Sequence, residues 1–273
     1  MGSVNKLRVY AEYLMECELA ARTRELYLQE AEKLERYMGK DKVTKKKLLG
    51  YKKRLEASGY APTTLNQRIV AVNRYLHYSG YGDCVLKTNR LQSRQSLNGI
   101  LTKREYQMLL DYARESGREK YYVLVRTLAM TGIRIGELKF FTVEALEKQF
   151  IQVTGKKKTR EIYLPDRLIE ELKVYCSYAG IKNGVIFQGR AGEPIHRTTV
   201  YKMLVRLADM TGVPKEKVHP HSFRHLFALT YMENYSNLFE LADLLGHSSL
   251  ETTRIYARST MEKKRQRIDR LGL

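Results

Sequence analysis

Two sets of apolar residues constrain this chain most: Tyr27, Ala31, Leu34 and Met38, and Leu65, Ile69, Val72 and Leu76, each stepping by four, three and four. With 3.6 residues per turn, that step returns every side chain to one stripe of an α-helix, whereas a strand would scatter either set over both faces. The first third therefore reads as four or five short helices ending near Tyr78. Thr23 and Thr44 read as N-caps, and Pro62 before Thr63 and Thr64 suits a first helical turn. Gly80, Gly82 and the polar stretch Lys87–Asn98 then interrupt the periodicity, which marks a linker.

Beyond the linker the pattern changes. Thr102 and Glu105 have the spacing of a capping box and open a helix to about Ser116. A second helix runs from Tyr121 to about Met130, with Gly132 as the residue that accepts a left-handed C-terminal position. After a helix around Gly136–Phe141, Phe150–Val153 and Glu161–Leu164 read as two strands joined by a lysine-rich turn. Helices follow at about Asp166–Ala179, Thr198–Thr211, Ser222–Glu233, Leu238–Leu245, Ser249–Ala257 and Met261–Leu271, with a short strand near Val185–Phe187. The fold class expected is mainly α with a small antiparallel β-sheet. At 273 residues the chain exceeds the usual single domain, so an N-terminal helical domain (1–86), a linker (87–97) and a mixed α/β domain (98–273) are expected.

The formal charge of +19 exceeds what solubility needs and calls for a polyanionic partner, nucleic acid first. It is shared between the halves: net +9 over residues 1–96 and +10 over 97–273, as expected if both domains touch that partner. No apolar run reaches the ~20 residues that span a bilayer, and Met1–Tyr10 lacks the apolar core of a signal peptide, so the protein is expected in the cytoplasm. Cys17, Cys84 and Cys176 are odd in number and far apart, which argues against a disulfide framework or a cysteine zinc site.

Four separated segments carry residues suited to a phosphodiester: Thr131–Leu138 with Arg134 and Glu137, His221–His225 with Arg224, Leu245–His247, and Tyr256 nine residues after His247. Arginine donates two parallel hydrogen bonds to one phosphate and stays charged, so Arg134 and Arg224 fit a clamp on its non-bridging oxygens. Tyr256 fits a nucleophile. Its free phenol has a pKa of ~10, so ionising it at pH 7 costs roughly 4 kcal/mol, and neighbouring arginines and histidines are expected to lower that cost. The pair His221 and His225, with His219 and His247 at hand, also has metal-ligand character. Ser222 stands where a zinc protease has its glutamate, however, and Arg224 would repel a cation, so no metal is expected. Lys45, Lys46 and Lys47 crowd a first helical turn against the macrodipole, which points to phosphate contacts or a solvated face. Arg68, Asn73 and Arg74, on the polar side of the Leu65–Leu76 helix, are candidate groove contacts.

In this order and spacing the segments resemble the tyrosine recombinase (phage integrase) family, in particular its two-domain, Xer-like members. The resemblance covers about Thr102 to the C-terminus and, less distinctly, the N-terminal third. It implies a SAM-like helical core-binding domain and a catalytic domain that clamp duplex DNA. Tyr256 would attack the scissile phosphate, giving a 3′-phosphotyrosyl link that the partner strand's 5′-hydroxyl resolves, so neither ATP nor metal is needed. It further implies that His221 assists proton transfer, that His247 hydrogen-bonds the phosphate, that Glu137 supports the site, and that a hairpin lysine protonates the leaving oxygen. Counting back two from Arg160 gives Lys158, but the turn is one residue shorter than the commonest family form, so Lys156 and Lys157 stay open as the acid or as backbone contacts. A homotetramer on two DNA sites is implied, acting through a Holliday junction, with accessory directionality proteins possible partners. The stripe Met261, Ile268 and Leu271 would dock on a neighbouring subunit. Two other readings are a type IB topoisomerase-like relaxing activity and a DNA-binding regulator without chemistry.

Overall fold

The apolar stripes fold as helices. In a computed structural model, which describes residues 3–90, 99–154, 159–247, 249–257 and 268–269, the chain divides into two units, Met1–Arg94 and Gln95–Leu273.

The first unit is helical: α1 (Ser3–Glu16), α2 (Ala21–Met38), α3 (Lys45–Ala57) and α4 (Pro62–Tyr78), then a 3₁₀ turn at Gly82–Cys84. Ala31, Leu34 and Met38 of α2 meet Leu65, Ile69, Val72 and Leu76 of α4 in one core, with Tyr10, Leu14, Leu48 and Tyr51 from the other two helices. Thr44 caps α3 by accepting the Lys47 N–H at 3.3 Å, and Pro62 opens α4. Thr23 does not cap α2: the helix starts earlier, at Ala21, because the chain already turns helical after Ala20 without a side-chain cap.

The second unit begins with α5 (Lys103–Glu115) and α6 (Glu119–Thr131). The Thr102 hydroxyl accepts the Glu105 N–H at 3.1 Å while Glu105 accepts the Thr102 N–H at 2.8 Å, a reciprocal capping box. Gly132 ends α6 at φ 58°, and a Cβ there would come within 2.6 Å of the Phe227 ring, so conformation and space both require glycine. A 3₁₀ turn, Ile135–Phe140, stands where a short helix is read from the sequence. Then come α7 (Val143–Glu147) and an antiparallel pair, β1 (Phe150–Thr154) with β2 (Thr159–Tyr163), in the register Phe150 to Tyr163 and Thr154 to Thr159.

The rest is α8 (Asp166–Ala179), α9 (Arg197–Thr211), α10 (Pro220–Asn234), α11 (Leu238–Leu245) and α12 (Leu250–Arg254), closed by a 3₁₀ turn at Ile255–Ala257. Helix α6 is the centre, packed against α5, α8 and α10, and is buried on most sides. The expected strand near Val185–Phe187 is a single bridge, Thr142 to Val185, because neighbouring main-chain groups there bond into loops rather than a ladder. The expected helix Ser249–Ala257 is split, its last turn tightening to 3₁₀ and seating Ile255 and Tyr256 in a small apolar cluster with Ala228, Leu241 and Leu245. The Met261–Leu271 segment lies outside the described residues apart from 268 and 269. Among the described residues no helix is long and apolar enough to cross a membrane.

Candidate functional site

Three arginines converge on the C-terminal end of α11. A helix leaves its last carbonyls unpaired and partially negative, and here guanidinium groups fill that need. Arg224 Nη2 donates to Leu245 O at 2.6 Å, Arg134 Nη2 to Gly246 O at 2.7 Å, and Arg160 Nη1 to Leu244 O. Arg224 also donates through Nη1 to Gly132 O at 2.6 Å, which ties the end of α6 to the end of α11. The left-handed Gly132 makes this possible by turning the chain out of α6 two residues before Arg134.

Glu137 organises the group. Its carboxylate accepts the Arg134 main-chain N–H at 2.7 Å, Arg134 Nη1 at 3.3 Å and Arg160 Nη2 at 2.6 Å, while only 7% of the residue is exposed. Among the described residues this cluster sets three guanidinium groups against one carboxylate. Arg224, 2% exposed, shows the consequence: burial first, then the Arg134 and Arg160 charges, pull its pKa down to about 10. It is still a cation at pH 7. Burial also pulls Arg160 below the usual guanidinium range, against the pull of Glu137. An anion entering here would relieve that repulsion.

Histidines and Tyr256 border the arginines. His247 follows the α11 cap and its Nδ1 lies 2.7 Å from Thr253 Oγ1. Burial, then Arg224, Arg134 and Arg160, push its pKa down to about 4, so it is neutral at pH 7. His221 is lowered by burial and by Arg224. His219 is the N-cap of α10, its ring accepting the Ser222 N–H at 3.3 Å. Tyr256, 7% exposed, places Oη 2.6 Å from His225 Nδ1. The expected lowering of its phenol is reversed. Burial outweighs the Arg224 charge and pushes the pKa up to about 12, so ionising it in the free protein costs about 7 kcal/mol at pH 7.

The structure thus brings Arg134, Glu137, His221, Arg224, His247 and Tyr256 into one neighbourhood, and adds Arg160 and His225, to which the sequence reading gave no part in the chemistry. Their signals were present: Arg160 ends the lysine-rich turn, and His225 is four residues from His221, one helical turn along the same face. Lys156, Lys157 and Lys158 lie outside the described residues. Among the described residues no group of three His, Cys, Asp or Glu side chains gathers as a metal cage would.

The groove candidates of the first unit have other partners. Arg68 pairs with the fully buried Glu30 and stacks over the Tyr60 ring at 4.0 Å. Asn73 holds both main-chain groups of Leu86 at 2.8 Å, and Arg74 donates to Cys17 Sγ at 3.0 Å. Lys45 donates to Val85 O, Lys47 pairs with Asp41, and Lys46 is exposed. Asn73 and Lys45, together with Lys52 and Asn66, which reach Lys87 and Asn89, pin the segment after α4 onto the bundle. The polar face of α4 is therefore partly consumed in holding the fold, which spacing alone does not reveal. Two hollows remain beside it. One, of about 730 Å³, lies between α2 and α4, where Gln29 and Gln67 share the lining with Leu26, Tyr27 and Val70; the other, of about 240 Å³, sets Lys33, Arg36, Arg54 and Arg68 among Tyr37, Tyr51 and Tyr60.

Comparison with known proteins agrees with both units. The phage integrase family matches residues 100–263, and the phage integrase N-terminal SAM-like domain matches residues 7–79. A tyrosine recombinase XerA of Pyrococcus furiosus is 29% identical over 238 residues, 84% of this chain and 82% of the relative. Among solved structures, XerH recombinase bound to its difH substrate aligns with a TM-score of 0.70 at 21% identity, over 90% of this chain and 78% of the other. The Tn1549 transposon integrase in complex with transposon right-end DNA aligns with a TM-score of 0.77 at 18% identity, over 98% and 99%.

Proposed function

This chain belongs to the phage integrase family, and from that premise we propose that it is a site-specific DNA recombinase that cuts and rejoins duplex DNA through a 3′-phosphotyrosyl intermediate. The observation that carries the reading is the excess of guanidinium charge beside a buried tyrosine. Arg134, Arg160 and Arg224 outnumber Glu137, and Tyr256 sits at their edge. A scissile phosphate supplies the missing negative charge. Arg134 and Arg224 would hold its non-bridging oxygens through donors that their carbonyl bonds leave over, with His247 hydrogen-bonding the same phosphate and His221 aiding proton transfer. By neutralising charge on the phosphate they also make its phosphorus easier for the Tyr256 oxygen to attack.

Lys158, or Lys156 or Lys157 of the same turn, would protonate the leaving 5′-oxygen. Bond energy stays in the tyrosyl link, so ATP is not needed. In the first unit, Gln29 and Gln67 carry the amides suited to base edges, while Arg36 and Arg54 at the basic hollow carry charge suited to the phosphate backbone. Four protomers on two sites, working in the cytoplasm, would carry one cycle of strand exchange.

The test is a nicked duplex carrying a site selected from random-sequence DNA by binding to the protein. Cleavage beside the nick releases a short fragment and traps the covalent adduct on a denaturing gel. Wild type should accumulate adduct and Tyr256→Phe none. An adduct that persists in Tyr256→Phe would overturn the assignment.

A further inference from the structure

The imidazole that touches the nucleophile's oxygen is neither His221 nor His247 but His225. Its Nδ1 lies 2.6 Å from Tyr256 Oη, with ring centroids 5.6 Å apart. The other two have other neighbours: His247 Nδ1 meets Thr253, and the His221 ring lies tilted beside the His225 ring at 5.2 Å between centroids. We infer that His225 is a catalytic residue, whose Nδ1 holds the Tyr256 hydroxyl in place and takes its proton as the phenolic oxygen attacks phosphorus. This inference rests on the recombinase reading above.

The geometry sets the proton's position. When Nδ1 accepts from the hydroxyl, a neutral imidazole must carry its own proton on Nε2. The charged and titratable groups acting on His225 are His219, His221 and Arg224 of its own helix and Tyr256 from the 3₁₀ turn packed across it. Burial first, then His221, His219 and the Arg224 cation, hold His225 near 4 while burial holds Tyr256 near 12, so without DNA the pair stays neutral and the nucleophile stays protonated. A phosphate bound by the arginines places negative charge beside the ring, which favours the imidazolium.

In the step itself the Tyr256 O–H bond breaks, an O–P bond forms and the P–O5′ bond breaks. The phenolic proton goes to His225 Nδ1, and the 5′-oxygen takes a separate proton from the hairpin acid. When the incoming 5′-hydroxyl attacks, it loses its proton to that acid's conjugate base, and Nδ1 returns its proton to the Tyr256 oxygen, so the enzyme ends as it began.

Two measurements on the full chain test this. The first is single-turnover adduct formation on the nicked duplex between pH 6 and 9, with duplex binding measured alongside as a check on folding. His225→Ala should bind the duplex as wild type does yet form adduct about 10²–10⁴-fold more slowly, the loss typical of a missing general base. Its rate should climb about tenfold per pH unit as hydroxide replaces the missing base, a slope that wild type lacks. His225→Asn keeps an acceptor near the Nδ1 position but cannot take the proton. It should fall between the two in rate and share the slope of the alanine variant. A rate within threefold of wild type, or a slow rate with the wild-type pH profile, would overturn the inference.

The second measurement is ¹⁵N NMR of the histidines in the protein without DNA. His225 should appear as the Nε2–H tautomer, with an Nδ1 signal that moves in Tyr256→Phe. An Nδ1–H tautomer overturns the inference even if a variant misfolds. Failure of wild type to form any adduct would instead count against the recombinase reading, and the tautomer would still decide the His225 bond.

Discussion

Both units bury a glutamate among cations, and they use it differently. In the first, Glu30 is fully buried and meets Lys33 at 2.8 Å and Arg68 from α4, a pair that links two helices of a bundle. In the second, Glu137 meets Arg134 and Arg160, but a third guanidinium, Arg224, is packed behind them without a carboxylate of its own. Main-chain carbonyls at the ends of α6 and α11 satisfy its hydrogen bonds without cancelling its charge. The lesson is that a buried ion pair and a binding site are distinguished by charge balance. A structural pair matches its buried charges one to one, as Glu30 and Arg68 do with Lys33 left partly in water, while a site keeps an unfavourable excess that only a ligand relieves.

Removing the two carboxylates should break this comparison most sharply. Glu137→Gln leaves three buried or half-buried cations without an anion. It should cost about 3–5 kcal/mol of stability, and the misplaced guanidinium groups should lower adduct formation per folded molecule by roughly a hundredfold. Glu30→Gln should show a comparable loss of stability, because Arg68 also loses its buried partner, with cleavage per folded molecule unchanged. Equal cleavage defects in the two variants, measured after correcting for folded fraction, would show that the distinction drawn from charge balance is wrong.

Acid should separate the units next. The folded-state pKa values of His225 and His247 are pushed down to about 4, below the ~6.5 of an unfolded histidine. Below pH 6.5 the unfolded chain therefore binds protons that the folded chain refuses. Stability contributed above that pH is lost as pH falls towards 4, by up to about 3 kcal/mol per histidine. The first unit has a single histidine, His77. Hydrogen exchange followed from pH 7 to pH 5 should quicken in α10 and α11 relative to α2 and α4, and uniform quickening would contradict the assignment.

The smallest contrast lies in the caps. Thr44→Ala and Thr102→Ala should each destabilise by about 1 kcal/mol, the second more because Glu105 loses its reciprocal bond. Thermal unfolding of both variants would sharpen the estimate, and a neutral Thr102→Ala would leave the capping box without energetic meaning.

What could be read before folding was local. The stripes through Ala31 and Leu34 and through Ile69 and Val72, the caps Thr44 and Thr102, Pro62 at the head of α4 and Gly132 at the end of α6 all involve partners within about a turn, so spacing suffices. Thr23 and the Val185–Phe187 strand misled because a neighbouring preference won: the chain after Ala20 was already helical, and the main chain near Val185 bonded into loops. The order Arg134, His221, Arg224, His247, Tyr256 was legible as a set of residue types, and it carried the family resemblance.

Which of those residues touch was decided by tertiary structure alone. Arg68 finds Glu30 across 38 positions, Arg224 finds Gly132 across 92, and His225 finds Tyr256 across 31. No periodicity encodes such pairings, which is why Arg68 read as a groove contact and His225 only as a metal-ligand candidate. The same holds for ionisation. Residue type gives Tyr256 an ordinary phenol beside arginines, but the packing around Ile255 and Leu245 removes it from water, and that loss of solvation exceeds the attraction of Arg224. Charge and spacing belong to the sequence; burial and partner, which set reactivity, appear only when distant segments pack.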